Sequence, residues 1–538
     1  VSYAQDFKYF RFRIADNKKF EPRTARFRLR FQDDWGEDHT TYFTAYQGIP
    51  GGTAETREMT FEELRGLIAE AEGEITLDQD IAVSGTVISD WASPNMAGSP
   101  MPKAAEKPDL GINDCTAYMQ NADASLGLAL VTTDAQQNNL QRYDKLKLWC
   151  KGLTLTKRSN PERYTLSGLT AANIVSQTPG TASDLIRKEK SIGQLTDEDI
   201  YTYVSLREVE FALPDGSYTN VNEGYFGTAN HTSCVPRTLC DKDGGAISML
   251  VNNKTPWRRD GSGMPKGKGT LSGVIVHDLQ PRYGYTNEGY IGRYSVRVLE
   301  KEEIDLAASE SSSNRQTLVE WNWNNAEVRT NADGTIAPDR GNGSLWCTDP
   351  AAKYLLDNEY NGLTTSAGLN GKNALKFENT YWWDFAENTG YAVALKFSTE
   401  GAGANLSLNF TNSQGNAGGT SIYGPVYWQV EYSTDGVNFT VLPESGFCCR
   451  PFVYWQGAGG KDLSYCAVPG YADRVFILPD ALRNRPEVTL LIKARSTQCI
   501  ASNTATVDQG DTGTITSDMA ANKRSPMRFG TIAVKSNK

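Results

Sequence analysis

The chain has 538 residues, 39% hydrophobic and 22% charged. It is therefore folded rather than disordered and too long for one ordinary core, with about three or four domains expected. A net charge of −10 repels phosphate backbones and sets nucleic acid aside as a main partner. The 25 Tyr, 19 Phe and 11 Trp stand among 49 Gly and 22 Pro, the signature of aromatic strands cut by tight turns, so an all-β fold is expected.

The first thirty residues carry nine Lys/Arg against three Asp/Glu. In Phe10–Ile14 and Phe27–Phe31 apolar and basic residues alternate, which puts each strand's arginines on one face. The two segments are expected to form a hairpin whose basic face is solvated or docks an anionic group. Thr60-Phe61-Glu62-Glu63 has capping-box spacing and opens a short helix expected to reach about Glu72.

Two sets of strands follow. The first is Ile81–Asp90, Leu126–Asp134, Tyr143–Leu155 and Tyr164–Leu169; the second is Tyr201–Phe211, Ile247–Asn252, Gly269–Asp278 and Tyr294–Leu306. Ser84-Gly85-Thr86-Val87-Ile88-Ser89-Asp90 aligns with Ser272-Gly273-Val274-Ile275-Val276-His277-Asp278. A glycine there suits a strand bent around a barrel, and the shared heptad hints at duplication. Each set has the strand count of a small Greek-key barrel.

The runs Thr60–Leu64, Ile75–Val87, Tyr143–Leu148 and Gly267–Val274 resemble the DUF5689 family over about residues 58–308. The resemblance implies OB-like domains of exported Bacteroidetes surface proteins, often lipoproteins encoded beside SusC/SusD-type transporters. It supplies no catalytic motif.

A serine-rich break, Ser309–Asn314, precedes a long β-sandwich over 317–538. Its clear strands are Tyr391–Phe397, Leu406–Phe410, Tyr427–Tyr432, Arg474–Ile477, Val488–Lys493 and Phe529–Val534. Asp435-Gly436 between alternating runs marks a hairpin. The Tyr-Ser-Thr-Asp-Gly pattern at 432–436 is similar to jelly-roll domains at the C-termini of Bacteroidetes surface proteins. The expected division is therefore a small N-terminal β region at 1–57 and a first OB-like barrel with its opening helix at 58–195. A second OB-like barrel follows at 196–308, then the jelly-roll-like sandwich at 317–538.

Chemistry is sparse. The three histidines, His39, His231 and His277, lie in no catalytic context, and no P-loop, G-x-S-x-G, H-E-x-x-H or dinucleotide fingerprint occurs. His231, Cys234, Cys240 and Asp241 lack the second paired-ligand spacing of a zinc site. Cys234 and Cys240 are instead the plausible disulfide among nine cysteines. Asp241-Lys242-Asp243-Gly244 starts like a calcium loop, but Asn252 stands where a bidentate Glu belongs. Asp508, Asp511 and Asp518 could hold calcium structurally; no other cofactor is expected. With 64 Asp and Glu, a glycosidase-type carboxylate pair is neither selected nor excluded.

Seven of the eleven tryptophans fall in 317–538. Trp321 and Trp323 share one face by period two, whereas Trp382 and Trp383 point to opposite faces. Trp321, Trp323, Tyr381, Trp383, Tyr454, Trp455 and Gln456 are candidates for stacking on a sugar or packing a peptide; core packing is the alternative for each. The expected function is a non-catalytic surface binding protein, not an enzyme. Its partners would be a SusC-like TonB-dependent transporter and a SusD-like lipoprotein, and its ligand a glycan or oligopeptide. A structural docking subunit and a carboxylate-based hydrolase are the alternatives. The chain opens at Val1 with no apolar leader, so an export signal is expected to be already gone. No run of about 18 apolar residues occurs. Attachment to the outer leaflet of the outer membrane would rest on a lipid anchor that these residues do not show.

Overall fold

The computed structural model describes residues 2–3, 10–11, 23–32, 35–47, 56–97, 111–219, 236–252, 254–278, 293–325, 327–357, 374–414, 424–425, 427–448, 453–456, 463–466, 472–500, 512–517 and 527–538. Strands dominate them, as the composition requires, and the fold is all-β. Two units emerge: Val1–Trp91 with Cys115–Ile186, and Ala92–Asp114 with Arg187–Lys538. No helix among the described residues is long and apolar enough to cross a membrane.

In the first unit β1 (Arg23–Gln32) pairs with β2 (Asp38–Gln47). Period two holds: Arg26, Arg28 and Arg30 are exposed while Phe27 and Leu29 are half-buried, and the Arg26 guanidinium lies 4.7 Å from the Tyr42 ring centre. The pairing differs from the expected one, because Phe10–Arg11 joins Ser2–Tyr3 instead of β1. The capping box forms, with Thr60 Oγ1 accepting from Glu63 N and Glu63 Oε2 accepting from Thr60 N. Helix α1 is nevertheless only Phe61–Arg65 and ends at Gly66.

The first barrel comprises β3 (Gly73–Thr76), β4 (Ile81–Val87), β5 (Thr116–Gln120), β6 (Gly127–Thr132), β7 (Lys145–Trp149), β8 (Thr154–Arg158), β9 (Arg163–Leu169) and β10 (Ile174–Thr178), in the order β10-β7-β4-β5-β6-β9-β8-β3. The single strand expected over Tyr143–Leu155 is two, because the chain turns through Cys150–Leu153 with Gly152 at φ 86°. Since β7 pairs with β4 and β8 with β9, that turn closes the ring.

The second unit holds β11 (Lys188–Lys190), β12 (Tyr203–Phe211), β13 (Arg237–Cys240), β14 (Ala246–Leu250), β15 (Gly269–Val276), β16 (Ser295–Arg297) and β17 (Ile304–Leu306). Successive pairings β12-β13-β14-β16-β15-β12 close a five-stranded ring, with β14 and β16 parallel. Counted within the barrel this is the order 1-2-3-5-4, an OB-type topology, and the first barrel has the same order with its fourth strand split. The strand expected over Tyr294–Leu306 is likewise split, by a short 3-10 turn at Lys301–Glu303. β11 pairs with β12, and the unit that holds this barrel also takes in the described residues 92–97 and 111–114.

The shared heptads lie on different strands, β4 being first in its ring and β15 fourth. They therefore do not record duplication. What they share is a close backbone crossing: a Cβ on Gly85 would stand 2.6 Å from Gln120 O, and one on Gly273 would overlap Arg297 O. Gly273→Ala is expected to destabilise the second unit by about 1–3 kcal/mol through overpacking. Urea denaturation checks this, and an unchanged midpoint would show that the crossing has slack.

The sandwich comprises β18 (Arg315–Trp321), β19 (Gly343–Cys347), β20 (Lys353–Asp357), β21 (Ala374–Glu378), β22 (Ala392–Phe397), β23 (Ser407–Gln414), β24 (Tyr427–Ser433), β25 (Ala472–Ile477), β26 (Val488–Ala494) and β27 (Met527–Asn537). One sheet runs β20-β21-β27-β23-β25, with β18 also on β27; the other runs β19-β22-β26-β24. Leu395, Leu408, Phe410, Trp428, Val430, Leu490, Phe529 and Ile532 fill the core between them. The expected hairpin follows β24: Glu431 pairs with Val441, and Asp435 Oδ1 accepts from Val437 N and Asn438 N across the loop.

Candidate functional site

The aromatic candidates divide. Trp321 is 0% exposed and Trp323 4%, with the indole of Trp321 donating to Ile336 O and that of Trp323 to Gly530 O. Both rings do share one face, but it is the core face, so neither is a stacking platform. Trp382 is buried against Trp428 with ring centres 4.9 Å apart, while Trp383 is half-buried at the core's margin. Tyr381 packs on Cys499 and Ile515. Tyr454, Trp455 and Gln456 lie in a strand paired with Leu463–Cys466; their side chains are outside the described residues, as are Asp508, Asp511, Asp518, His231 and Cys234. Cys240 is a free, buried thiol pushed up to about 11 by its burial. Asp241 caps its own turn, accepting from Asp243 N and Gly245 N. His277 is buried with Nδ1 2.8 Å from Arg293 O, a structural role.

A polar concavity among the described residues lies inside the second unit, where the outer face of the sandwich sheet meets the end of β12. Its cavity holds about 120 Å³ and is lined by polar groups almost throughout. The sandwich wall is built by a register shift. From β18 the residues facing the cleft are Arg315, Thr317 and Glu320, followed just beyond its end by Asn322 and Asn324. Their parity changes because a bulge between Thr317 and Val319 inserts one residue against β27. The same bulge turns Val319, Trp321 and Trp323 inward. From β27, Thr531 and Lys535 join the same wall, with Thr317 paired to Lys535.

The facing wall is Glu210, Leu213, Pro214, Asp215 and Lys266. Glu210 is buried and accepts from Ser313 Oγ and Asn314 N, so the serine-rich break is pinned rather than a free linker. Asp215 accepts from Thr531 Oγ1, and Lys535 Nζ donates to Ala212 O at 2.9 Å. Arg315, 5% exposed, donates to Asn405 O, Ser407 Oγ and Lys535 O. Asn322 Nδ2 donates to Glu320 Oε1 at 2.9 Å. Burial, with the Arg315 guanidinium beside it, pushes the Lys535 ammonium below its ordinary range, against the pull of Glu320, Glu210 and Asp215. At the rim, the Arg340 guanidinium 2.6 Å from Glu310 holds that carboxyl below the usual range.

Such a lining offers fixed donors and acceptors in alternation without a metal-type cluster; among the described residues no group of three or more His, Cys, Asp or Glu is placed to hold a metal ion. Sequence reasoning missed the cleft, although Glu320-Trp321-Asn322-Trp323-Asn324 displayed it. The alternation was legible, and the polar residues, not the rings, face outward.

No protein-family model matches the chain, and no curated protein matches it. Among solved structures, the enzymatically active domain of tailspike protein 4 of bacteriophage CBA120 is similar at 9% identity and TM-score 0.17, covering 36% of this chain and 19% of that one. A protein of Bacteroides thetaiotaomicron described as sugar-binding is similar at 11% identity and TM-score 0.15, covering 41% and 97%. The M60 catalytic domain with two CBM51 domains of Clostridium perfringens ZmpB is similar at 12% identity and TM-score 0.16, covering 74% and 41%. At these scores the likeness assigns neither fold nor ligand.

Proposed function

We propose that this chain is a non-catalytic binding protein of the bacterial cell surface. It would serve a SusC/SusD-type uptake system, beside a TonB-dependent transporter and a SusD-like lipoprotein, and be held to the outer leaflet by a lipid anchor. Glycan or oligopeptide is its cargo. The polar cleft on the sandwich wall carries the binding half of the reading, because it is a concave surface with convergent hydrogen-bonding groups. The accessory half is supported by the OB-type order of both barrels across the residues that resemble DUF5689.

Among the cleft carboxylates, Glu310 is a poor fit to turnover. A glycosidase acid needs a raised pKa, whereas Arg340 depresses that of Glu310. A docking subunit without ligand is the second reading, favoured by the burial of Trp321, Trp323, Trp382 and Trp428 in the sandwich core.

The test is a mild-detergent pull-down of the native protein with mass spectrometry of what accompanies it. Recovery of a TonB-dependent transporter with its SusD-like lid is the expected result. Recovery of the protein alone would remove the accessory role. Release of reducing ends from a polysaccharide panel by the purified chain would replace binding with hydrolysis.

A further inference from the structure

The cleft's charge pattern narrows its ligand. In the same unit the buried Arg237 and Arg297 each sit against a carboxylate, Asp473 at 3.0 Å and Asp278 at 2.5 Å. Arg315 and Lys535 do not: among the described residues neither forms an ion pair, and Lys535 Nζ has Ala212 O as its one acceptor. Lys266 and Asn324, both exposed at the rim, have side chains with no hydrogen bond among the described residues. Arg315, Lys535, Glu210 and Glu320 thus line the same small space without pairing off among the described residues, while Glu310 is taken by Arg340.

We infer that this cleft binds a neutral, polyhydroxylated ring, a single sugar unit gripped through its hydroxyls by Lys266, Asn324, Glu320 and Lys535. A hydroxyl donates one hydrogen bond and accepts others, so it fits between a carboxylate and an ammonium. Charged ligands fit less well. A uronate or peptide carboxylate would meet Glu210, Asp215, Glu310 and Glu320, and an ammonium would meet Lys266, Arg315 and Lys535. The about 120 Å³ of space is well above the roughly 10–15 Å³ that a single water needs, so the cleft has room for more than a lone solvent molecule. Among the described residues no aromatic side chain lines the cleft, so the recognition inferred is by hydrogen bonds rather than by stacking.

The inference rests on the binding reading above, and calorimetry of the full chain separates the two. The probes are maltose, cellobiose, mannobiose, a digalacturonate, glucosamine and triglycine. A neutral disaccharide is expected to bind, with affinity changing less than about twofold between roughly 0.05 and 0.5 M NaCl, because no net ligand charge is screened. The double variant K266A/N324A is expected to weaken binding by about tenfold, the loss of two hydrogen bonds at about 0.5–1.5 kcal/mol each. Both positions are exposed, so the melting temperature should not move. Binding confined to the digalacturonate, glucosamine or triglycine, with steep salt dependence, would overturn the neutral-sugar assignment. Neutral-sugar binding untouched by the double variant would put the site elsewhere and overturn the inference while sparing the binding reading. Silence from every probe would overturn both.

Discussion

Trp321→Ala is expected to destabilise the second unit by about 3–5 kcal/mol, the cost of a cavity where a large ring is removed. The ring is 0% exposed and its Nε1 donates to Ile336 O. Both the packing and a buried hydrogen bond are lost, and Ile336 O is left without that donor. Urea denaturation should show a lower midpoint. Ligand affinity measured well below that midpoint should be unchanged, because the ring faces away from the cleft. A variant that kept wild-type stability and lost binding would instead make Trp321 a ligand contact and refute its place in the core.

Asp473→Ala is the second large effect. Arg237 on β13 and Asp473 on β25 are both fully buried at the side chain and meet at 3.0 Å. Thr238 N donates to the same carboxylate oxygen at 2.9 Å. The guanidinium also donates to Leu213 O, Ser217 O and Asp215 O, so it stays in place when its counter-ion goes. An uncompensated buried charge costs about 3–5 kcal/mol, whereas replacing both partners by apolar residues is often close to neutral. Asp473→Ala should therefore lower the melting temperature sharply, and R237M/D473L should recover most of the loss. Calorimetry of the three proteins decides it. A single variant that costs under about 1 kcal/mol would mean that the carbonyls alone satisfy Arg237.

The pair also shows where sequence reading stops. Strand periodicity made the all-β class and most sandwich strands legible, because each strand's alternation is local. Thr116–Gln120 is buried at every position, so it offers no alternation, and the strand was not expected. Gly85 and Gly273 announced a backbone constraint, but not that one lies on a first strand and the other on a fourth; strand order is a long-range property. The cleft was half legible. Glu320-Trp321-Asn322-Trp323-Asn324 fixes two faces, yet only the surrounding sheets decide which is inside. Arg315 and Thr317 join the outer face through a bulge against β27, whose Lys535 is more than two hundred residues away in sequence.

The segment 92–97 has a consequence for inheritance. It is spelled between two strands of the first barrel, yet it belongs to the unit that contains the second. Asn95 Nδ2 donates to Leu250 O and Val298 O, its Oδ1 accepts from Asn252 N and Arg297 Nη1, and Asn252 Nδ2 donates to Pro94 O and Ala97 O. A recombination breakpoint at 186/187 would look clean on a linear map. It would carry off the acceptor for Asn252 N and one of the acceptors of a buried arginine. The two barrels are thus not interchangeable cassettes: a gene fragment encoding the second travels intact only with a stretch written inside the first, so shuffling must move them together.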